Sequence, residues 1–156
     1  MKHTLLIVLT AFVFTTSANA QMAAKSVYVE LGGPGLASIN YDTRFSKRED
    51  GIGGRAGIGY ISSGDEHLLT VPVGLTYLLG KDEKNYFEVG GGVTYVNYSG
   101  FFSGDGAFNS TFGHLTFGYR LQPKNGGFLF RAAIVPVFGE GGFIPYYAGV
   151  GFGYKF

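Results

Sequence analysis

Residues 146–156 read Tyr-Tyr-Ala-Gly-Val-Gly-Phe-Gly-Tyr-Lys-Phe and alternate between two kinds of side chain. From Ala148 onward, one parity is apolar and ends in aromatic residues, and the other consists of glycine and lysine. Alternation with a period of two is the pattern of a β-strand that has two different faces. A soluble strand buries its apolar face in a core, whereas a strand of a membrane barrel turns that face to lipid.

The N-terminal residues have the features of a secretory signal. A basic start, Met1-Lys2-His3, is followed by an apolar run over residues 5–14 and by the small-x-small pattern Ala18-Asn19-Ala20. The run is short for a membrane-spanning anchor, which is the alternative interpretation. We therefore predict a signal peptide over residues 1–20 and one domain over residues 21–156.

The composition excludes several classes of protein. The chain has no cysteine, so it forms no disulfide and carries no lipidated cysteine. Its formal net charge is +1, and nothing in it points to a nucleic acid partner. Glycine accounts for 27 of the 156 residues and aromatic residues for 17%, which disfavours helices and favours a β-structure.

Eight strand-like segments separated by turn residues follow the predicted signal peptide. They cover residues 26–31, 36–45, 53–61, 68–79, 86–97, 111–121, 127–137 and 146–156. The connections after the even-numbered segments are compact and charged. Those after the odd-numbered segments are rich in glycine and serine, and the longest surrounds residues 100–106. Short turns on one side and longer loops on the other are typical of outer-membrane barrels, although the first glycine-rich connection is itself short.

One parity of every segment is free of charged residues. The opposite parity contains Glu30, Asp42, Arg44, Arg55, Glu88, His114, Arg120, Arg131 and Lys155. A soluble barrel would have to pack many bulky aromatic side chains into an interior that is barely wide enough for ordinary ones. The fold predicted is therefore all-β: an eight-stranded antiparallel up-and-down transmembrane β-barrel with its apolar side chains facing lipid.

Three further features of the barrel follow from this prediction. An open sheet edge is not tolerated in lipid, so the eighth strand is expected to pair with the first. Pro72 and Pro136 are expected to mark irregular pairing at the outer rim, because proline lacks the N–H that a ladder needs. Aromatic residues near the short turns are expected to form an interfacial girdle. They are Phe45, Tyr77, Phe87, Tyr119, Phe128, Tyr154 and Phe156.

The signal peptide, the eight alternating segments and the terminal Gly153-Tyr154-Lys155-Phe156 resemble the small outer-membrane barrels of Gram-negative bacteria. The OmpA membrane domain and OmpX are familiar members of this family, and the resemblance covers the whole mature chain. It implies export through the periplasm, residence in the bacterial outer membrane and contact with outer-membrane lipid. It also implies that the barrel-assembly machinery recognises Phe156. We expect a monomer without a cofactor or a bound metal.

The charged parity predicts the contents of the lumen. Buried charges are costly unless they are paired and hydrogen-bonded. We therefore predict that these residues pair across the lumen and plug it, which suits a non-enzymatic, structural or surface-interaction role. A narrow pore is the alternative, but eight strands leave no continuous water channel.

His114 and Thr116 provide a second alternative, that of an enzyme. They lie two residues apart on one face, and this pattern resembles the His-x-Ser of lipid A deacylase barrels, a class of membrane-embedded lipid-modifying enzymes. Threonine stands in place of serine, however, and both side chains are expected to face the lumen and not the lipid. Glu88 would have to orient the histidine to complete a triad. We expect His114 to be a structural hydrogen-bonding residue.

The outer loops supply the last candidates. Phe101, Phe102 and Phe108 in the longest loop are expected to form an exposed contact patch, to fold onto the barrel rim or to dip into the lipid headgroups. Asp65-Glu66-His67 contains side chains that metals prefer, but a solvated loop is the expected interpretation.

Overall fold

The structure, a computed structural model, describes residues 23–99, 108–140 and 142–156. The predicted signal peptide lies outside the described residues. The strands are β1 (Lys25–Gly32), β2 (Ala37–Arg44), β3 (Gly51–Ser63), β4 (Glu66–Leu79), β5 (Asn85–Ser99), β6 (Phe108–Leu121), β7 (Gly127–Ile134), β8 (Val137–Gly139), β9 (Gly142–Ile144) and β10 (Ala148–Lys155). No helix among the described residues is long and apolar enough to span a bilayer.

The strands close into a barrel. Each of β1 to β7 pairs with its sequence neighbours in antiparallel fashion, except that β7 continues to β10 and β10 returns to β1. The short strands β8 and β9 extend the wall at its outer end, where β8 pairs with β6 and β9 pairs with β8. The prediction of a closed, eight-stranded, antiparallel barrel is confirmed, including the pairing of the first strand with the last.

Pro136 explains why the last two predicted segments are interrupted. Strand β7 ends at Ile134 and the chain resumes as β8 after Pro136, whose carbonyl accepts a hydrogen bond from the Leu115 N–H at 2.9 Å. The interrupted segment is also bonded on its other side, because the Val135 N–H donates to the Tyr147 carbonyl at 2.6 Å, just before β10. The irregular pairing predicted at Pro136 is confirmed. Residues 146 and 147 were predicted to start the last strand, but Tyr146 lies in a turn and the strand begins only at Ala148, after Tyr147.

Pro72 also disturbs the ladder, although not where the sequence placed it. On one side it lies opposite Thr94 of β5, and the β4–β5 pairing is continuous there. On the other side the β3–β4 pairing passes from Ala56↔Val73 directly to Gly59↔Thr70. The predicted irregularity is therefore present, but it lies in the middle of β4 and not at the outer rim.

The side chains of the barrel wall alternate between buried and exposed along each strand. In β1 the outward residues Val27 and Val29 are 38% and 52% exposed. The inward residues Tyr28 and Glu30, which alternate with them, are 1% and 0% exposed. The predicted girdle residues near the short turns are all exposed as well. Apolar side chains thus cover the outside of the barrel and polar ones fill its interior, which is the arrangement expected of a barrel in lipid.

The outer rim of the barrel is uneven. Strands β3 to β6 contain 13 to 15 residues, whereas β1 and β2 contain eight each. The connection between β1 and β2 is a 3-10 turn over Gly33–Gly35 whose residues are all buried. It lies inside the barrel, where the Gly35 carbonyl accepts a hydrogen bond from Thr70 Oγ1 at 2.8 Å. The short first connection, which fitted poorly as an outer loop, therefore closes the outer mouth of the lumen.

Candidate functional site

The lumen contains a set of paired charges, here named the lumen cluster. Its members are Glu30, Asp42, Arg44, Arg55, Glu88, Arg120 and Arg131, each at most 5% exposed. They come from six strands, and each has the inward parity of its strand. Because side chains on a strand alternate between faces, the sequence alone is sufficient to direct these residues into the lumen.

Glu30 is the first centre of the lumen cluster. One oxygen of its carboxylate accepts a hydrogen bond from Arg55, and the other accepts one from Arg131. Arg131 also donates to Glu88, with an Nη2–Oε1 distance of 2.7 Å. The carboxylate of β1 is in this way joined to arginines of β3 and β7, and through Arg131 to β5.

Asp42 is the second centre. Its Oδ1 accepts from Arg44 Nη2 at 2.6 Å and from Arg120 Nη2 at 3.2 Å. Arg44 Nη2 donates further to Thr76 Oγ1 at 2.6 Å, and Arg120 Nη2 donates to Ser26 Oγ at 2.8 Å. Since Arg120 Nη1 also lies 3.7 Å from Glu88 Oε2, the two centres form one network across the lumen.

Tyr28 lies at the middle of this network and was not singled out in the sequence analysis. Its ring is 1% exposed, and the guanidinium carbons of Arg55, Arg120 and Arg131 lie 5.5, 5.8 and 5.4 Å from the ring centroid. Guanidinium groups at such distances are attracted to the negative face of an aromatic ring. The available signal was parity, because an aromatic residue on the charged face of the first strand must lie among the charges.

The cluster is a rigid set of cross-lumen contacts. Two charges in a medium of low dielectric attract each other far more strongly than in water, and removal of one partner leaves the other buried and unpaired. Each carboxylate of the cluster is held by at least two arginines, so no single side chain can turn away without breaking several contacts. The arrangement is suited to closing the lumen and fixing the register of the strands.

Lys155 lies apart from the lumen cluster, although the sequence grouped it there. Its ammonium nitrogen donates to Glu49 Oε1 at 2.7 Å and to the Lys124 carbonyl. The contacts join the last strand to two of the short turns. In the first of these turns, the side-chain hydrogen bond from Arg48 lowers the pKa of Asp50, the neighbour of Glu49. Lys155 thus fixes two of the short turns to the end of the last strand.

His114 faces the lumen but is not part of a triad among the described residues. It is 3% exposed, and its Nδ1 lies 3.4 Å from Thr94 Oγ1. Its partner in the β5–β6 register is Gly92. Glu88 lies four residues from Gly92 along β5, which corresponds to about 13 Å between their backbones. The Glu88 carboxylate is held by Arg131 instead. Thr116 is also buried, at 2% exposed, and faces away from the surface that would meet lipid.

The remaining candidates lie at the ends of the barrel. Phe101 and Phe102 are outside the described residues, and Phe108 begins β6, with its backbone opposite Tyr98. At the other end, Phe156 is 58% exposed and its N–H donates to the Lys25 carbonyl at 2.9 Å.

His67, from the second outer connection, is held by its neighbours. The Nδ1 atom lies 3.1 Å from Tyr60 Oη and 3.0 Å from Ser62 Oγ, and the imidazole ring stacks on Tyr60. Within the described ranges, no group of three histidine, aspartate or glutamate side chains is placed to hold a metal ion.

Comparison with known proteins supports the fold. No protein-family model matches the sequence, and none of the curated proteins is significantly similar to it. The structure is similar to the N-terminal β-barrel domain of OprF from Pseudomonas aeruginosa, with a TM-score of 0.63 and 16% identity over 86% of this chain and 96% of that one.

Structures of Ail, the attachment invasion locus protein of Yersinia pestis, also match. The complex with the heparin analogue sucrose octasulfate has a TM-score of 0.47 and 14% identity over 86% of this chain and 99% of that one. The structure in a phospholipid bilayer nanodisc has a TM-score of 0.48 and 15% identity over 86% of this chain and 98% of that one. The chain has the fold of the OmpA-like small outer-membrane barrels.

Proposed function

We propose that this chain, which has the fold of a small outer-membrane barrel, is a non-enzymatic protein of the bacterial outer membrane with a closed lumen. The observation that carries the proposal is the pairing of Glu30 with both Arg55 and Arg131, with all three side chains buried. A barrel that closes on itself leaves no long edge for another chain, so we expect it to act as a monomer. It reaches the outer membrane through the periplasm.

Two obstructions in series support a closed lumen. The lumen cluster crosses the barrel in the half next to the short turns, where Arg44 ends β2 and Arg120 is the second to last residue of β6. The buried turn Gly33–Gly35 closes the outer mouth above it. Either obstruction alone would narrow the passage of an eight-stranded barrel, whose interior is already filled by side chains. The role of the protein is therefore exerted at its surface, through the outer loops, where Phe101, Phe102 and Phe108 are the candidates for contact.

The closed lumen predicts that the barrel does not conduct ions. When the purified, refolded barrel is added to a planar lipid bilayer, we expect no discrete conductance steps, because the paired charges and the turn leave no water-filled path. Single-channel recording at symmetric salt measures this directly, with a known porin added afterwards to prove that the bilayer reports channels. Reproducible steps that scale with the amount of this protein would contradict the proposal and favour the narrow pore.

The buried position of His114 supports a role without lipid chemistry. A deacylase needs its base and nucleophile at the lipid, and here both His114 and Thr116 are inside the wall. We expect mass spectra of lipid A to be the same in cells that express the wild type, His114→Ala or neither. The matched control is Thr94→Val, which removes the hydroxyl near His114 Nδ1 and is also expected to leave the lipids unchanged. A lipid A species that depends on His114 would instead identify an enzyme.

Recognition of Phe156 by the barrel-assembly machinery stays part of this proposal. The side chain is exposed at the end of the last strand and its ring contacts Tyr154, with ring centroids 5.6 Å apart. An exposed aromatic residue at the closing seam of the barrel is accessible before and during closure, which is what recognition of an unfinished barrel requires.

A further inference from the structure

The buried charges of the lumen do not balance among the described residues. The lumen cluster contains four arginines but only three carboxylates, and the buried Lys155 is matched by its own partner, Glu49. One positive charge is left without a counter-charge. Protonation of His114 would add to this excess and not relieve it, and arginine keeps its proton at any ordinary pH.

An uncompensated charge in this position is expensive. Transfer of an ion from water to a protein interior is strongly unfavourable even after the protein has relaxed around it. Most buried ionisable groups avoid this cost because their pKa shifts until they are neutral, but arginine does not lose its proton in proteins. A closed lumen therefore favours any negative charge that fits beside the surplus arginine.

Several hydrogen-bond donors on the side chains of the lumen also lack a partner among the described residues. Arg55 Nη1, Arg120 Nε and the Tyr28 hydroxyl are buried, and none of them finds an acceptor among the described residues. The guanidinium carbons of Arg55 and Arg120 lie 5.5 and 5.8 Å from the centroid of the Tyr28 ring, so the three side chains that carry these donors are neighbours in the lumen. Buried donors are nearly always satisfied in folded proteins, so a partner is expected here.

We propose that the lumen binds one small monovalent anion of the halide class beside Tyr28, where Arg55 and Arg120 face it. The inference rests on the closed lumen proposed above. A halide accepts several hydrogen bonds at once and carries the one negative charge that the cluster lacks. A doubly charged oxyanion such as sulfate does not suit the site, because its charge would reverse the imbalance without removing it.

Asn40 offers a nearly isosteric way to supply the missing charge from the protein. Its Oδ1 accepts from Arg55 Nε at 3.1 Å and from Arg55 Nη2 at 2.9 Å, and its Nδ2 donates to Ser38 Oγ at 2.9 Å. In Asn40→Asp the two contacts with Arg55 remain, and the Ser38 hydroxyl can rotate to donate to the new carboxylate. The cluster then has four carboxylates for four arginines and no longer needs an anion.

The test compares the wild type and Asn40→Asp, each refolded in detergent in sodium bromide or in sodium gluconate at equal concentration. A ligand that binds only the folded state shifts the unfolding equilibrium constant about elevenfold when its concentration is ten times the dissociation constant. We expect the wild type to be more stable in bromide, by a shift of this kind, and Asn40→Asp to be equally stable in both salts. Equal stability of the wild type in the two salts would overturn the proposal, and so would an undiminished bromide effect in Asn40→Asp.

A crystal grown in bromide gives a readout that does not depend on the variant. Anomalous scattering is expected from one bromide ion within hydrogen-bond distance of Arg55 or Arg120, beside Tyr28. Anomalous peaks at surface positions alone would mean an adventitious ion only, and would overturn the site. Either negative result leaves the conductance measurement untouched, so failure of the anion site is distinguishable from failure of the closed lumen.

Discussion

Replacement of Glu30 by glutamine is expected to lower the free energy of unfolding by about 3–5 kcal/mol, the range found when one partner of a buried ion pair is removed. Glutamine keeps the shape of the side chain but removes the charge that Arg55 and Arg131 share. Both arginines then remain buried with less compensation, and the excess of positive charge in the lumen doubles. Denaturant titration of the barrel refolded in detergent, followed by far-ultraviolet circular dichroism, measures the loss.

The matched control is Glu83→Gln on the surface. Glu83 pairs with Lys124 at 2.6 Å, as tight a contact as those of the lumen, but the two side chains are 58% and 49% exposed. Exposed pairs contribute about 0–1 kcal/mol, so this variant should unfold almost as the wild type does. Equal, small losses in the two variants would contradict the role of Glu30 as the centre of the lumen cluster.

Introduction of arginine at Val73 is the second change with a large expected effect. Val73 is 42% exposed, faces outward, and lies in the middle of β4 between Ala56 and Val93 of the neighbouring strands. An arginine on the lipid face costs about 2–4 kcal/mol at the bilayer midplane. We expect Val73→Arg to lower the free energy of unfolding in lipid vesicles by this amount. We also expect a smaller yield of folded barrel, measured as the fraction that resists protease after refolding.

The control for this change is an arginine placed at another depth in the membrane. Ser62 has the same outward parity near the outer end of β3, where it lies opposite His67, and is exposed. Near the interface the cost of an arginine falls to about 0–1 kcal/mol, so Ser62→Arg should insert normally. If Val73→Arg and Ser62→Arg behaved alike in vesicles, the outward apolar face would not be in contact with hydrocarbon and the membrane assignment would be contradicted.

The face of each strand could be read from the sequence because side-chain parity is a local property. Glu30, Asp42 and Arg131 are directed inward by alternation alone, and the apolar neighbours Val29 and Phe130 are directed outward by the same rule. The closing of the barrel also followed from a general requirement, since lipid offers no partner for an open edge. Irregular pairing at Pro72 and Pro136 was expected as well, and only its position in the middle of β4 at Pro72 required the actual pairing.

The contacts inside the lumen depended on shear and on the order of strands around the barrel, which alternation does not encode. Parity placed Glu88 and His114 on one face, but the β5–β6 register separates them and gives Glu88 to Arg131 instead. Parity likewise placed Lys155 with the other charges. It lies at the very end of β10, however, next to the short turns, and its ammonium group donates to Glu49 there.

The sequence by itself therefore determined which side chains meet lipid and which fill the interior, because that choice is made within each strand. Only the tertiary structure decided the partners. It set the position of Tyr28 among three arginines, the entry of Gly33–Gly35 into the outer mouth, and the burial of Arg55 Nη1 and Arg120 Nε without an acceptor among the described residues. The physical reason is that pairing across a lumen joins residues far apart in the chain, and their distances are fixed only when all eight strands have closed.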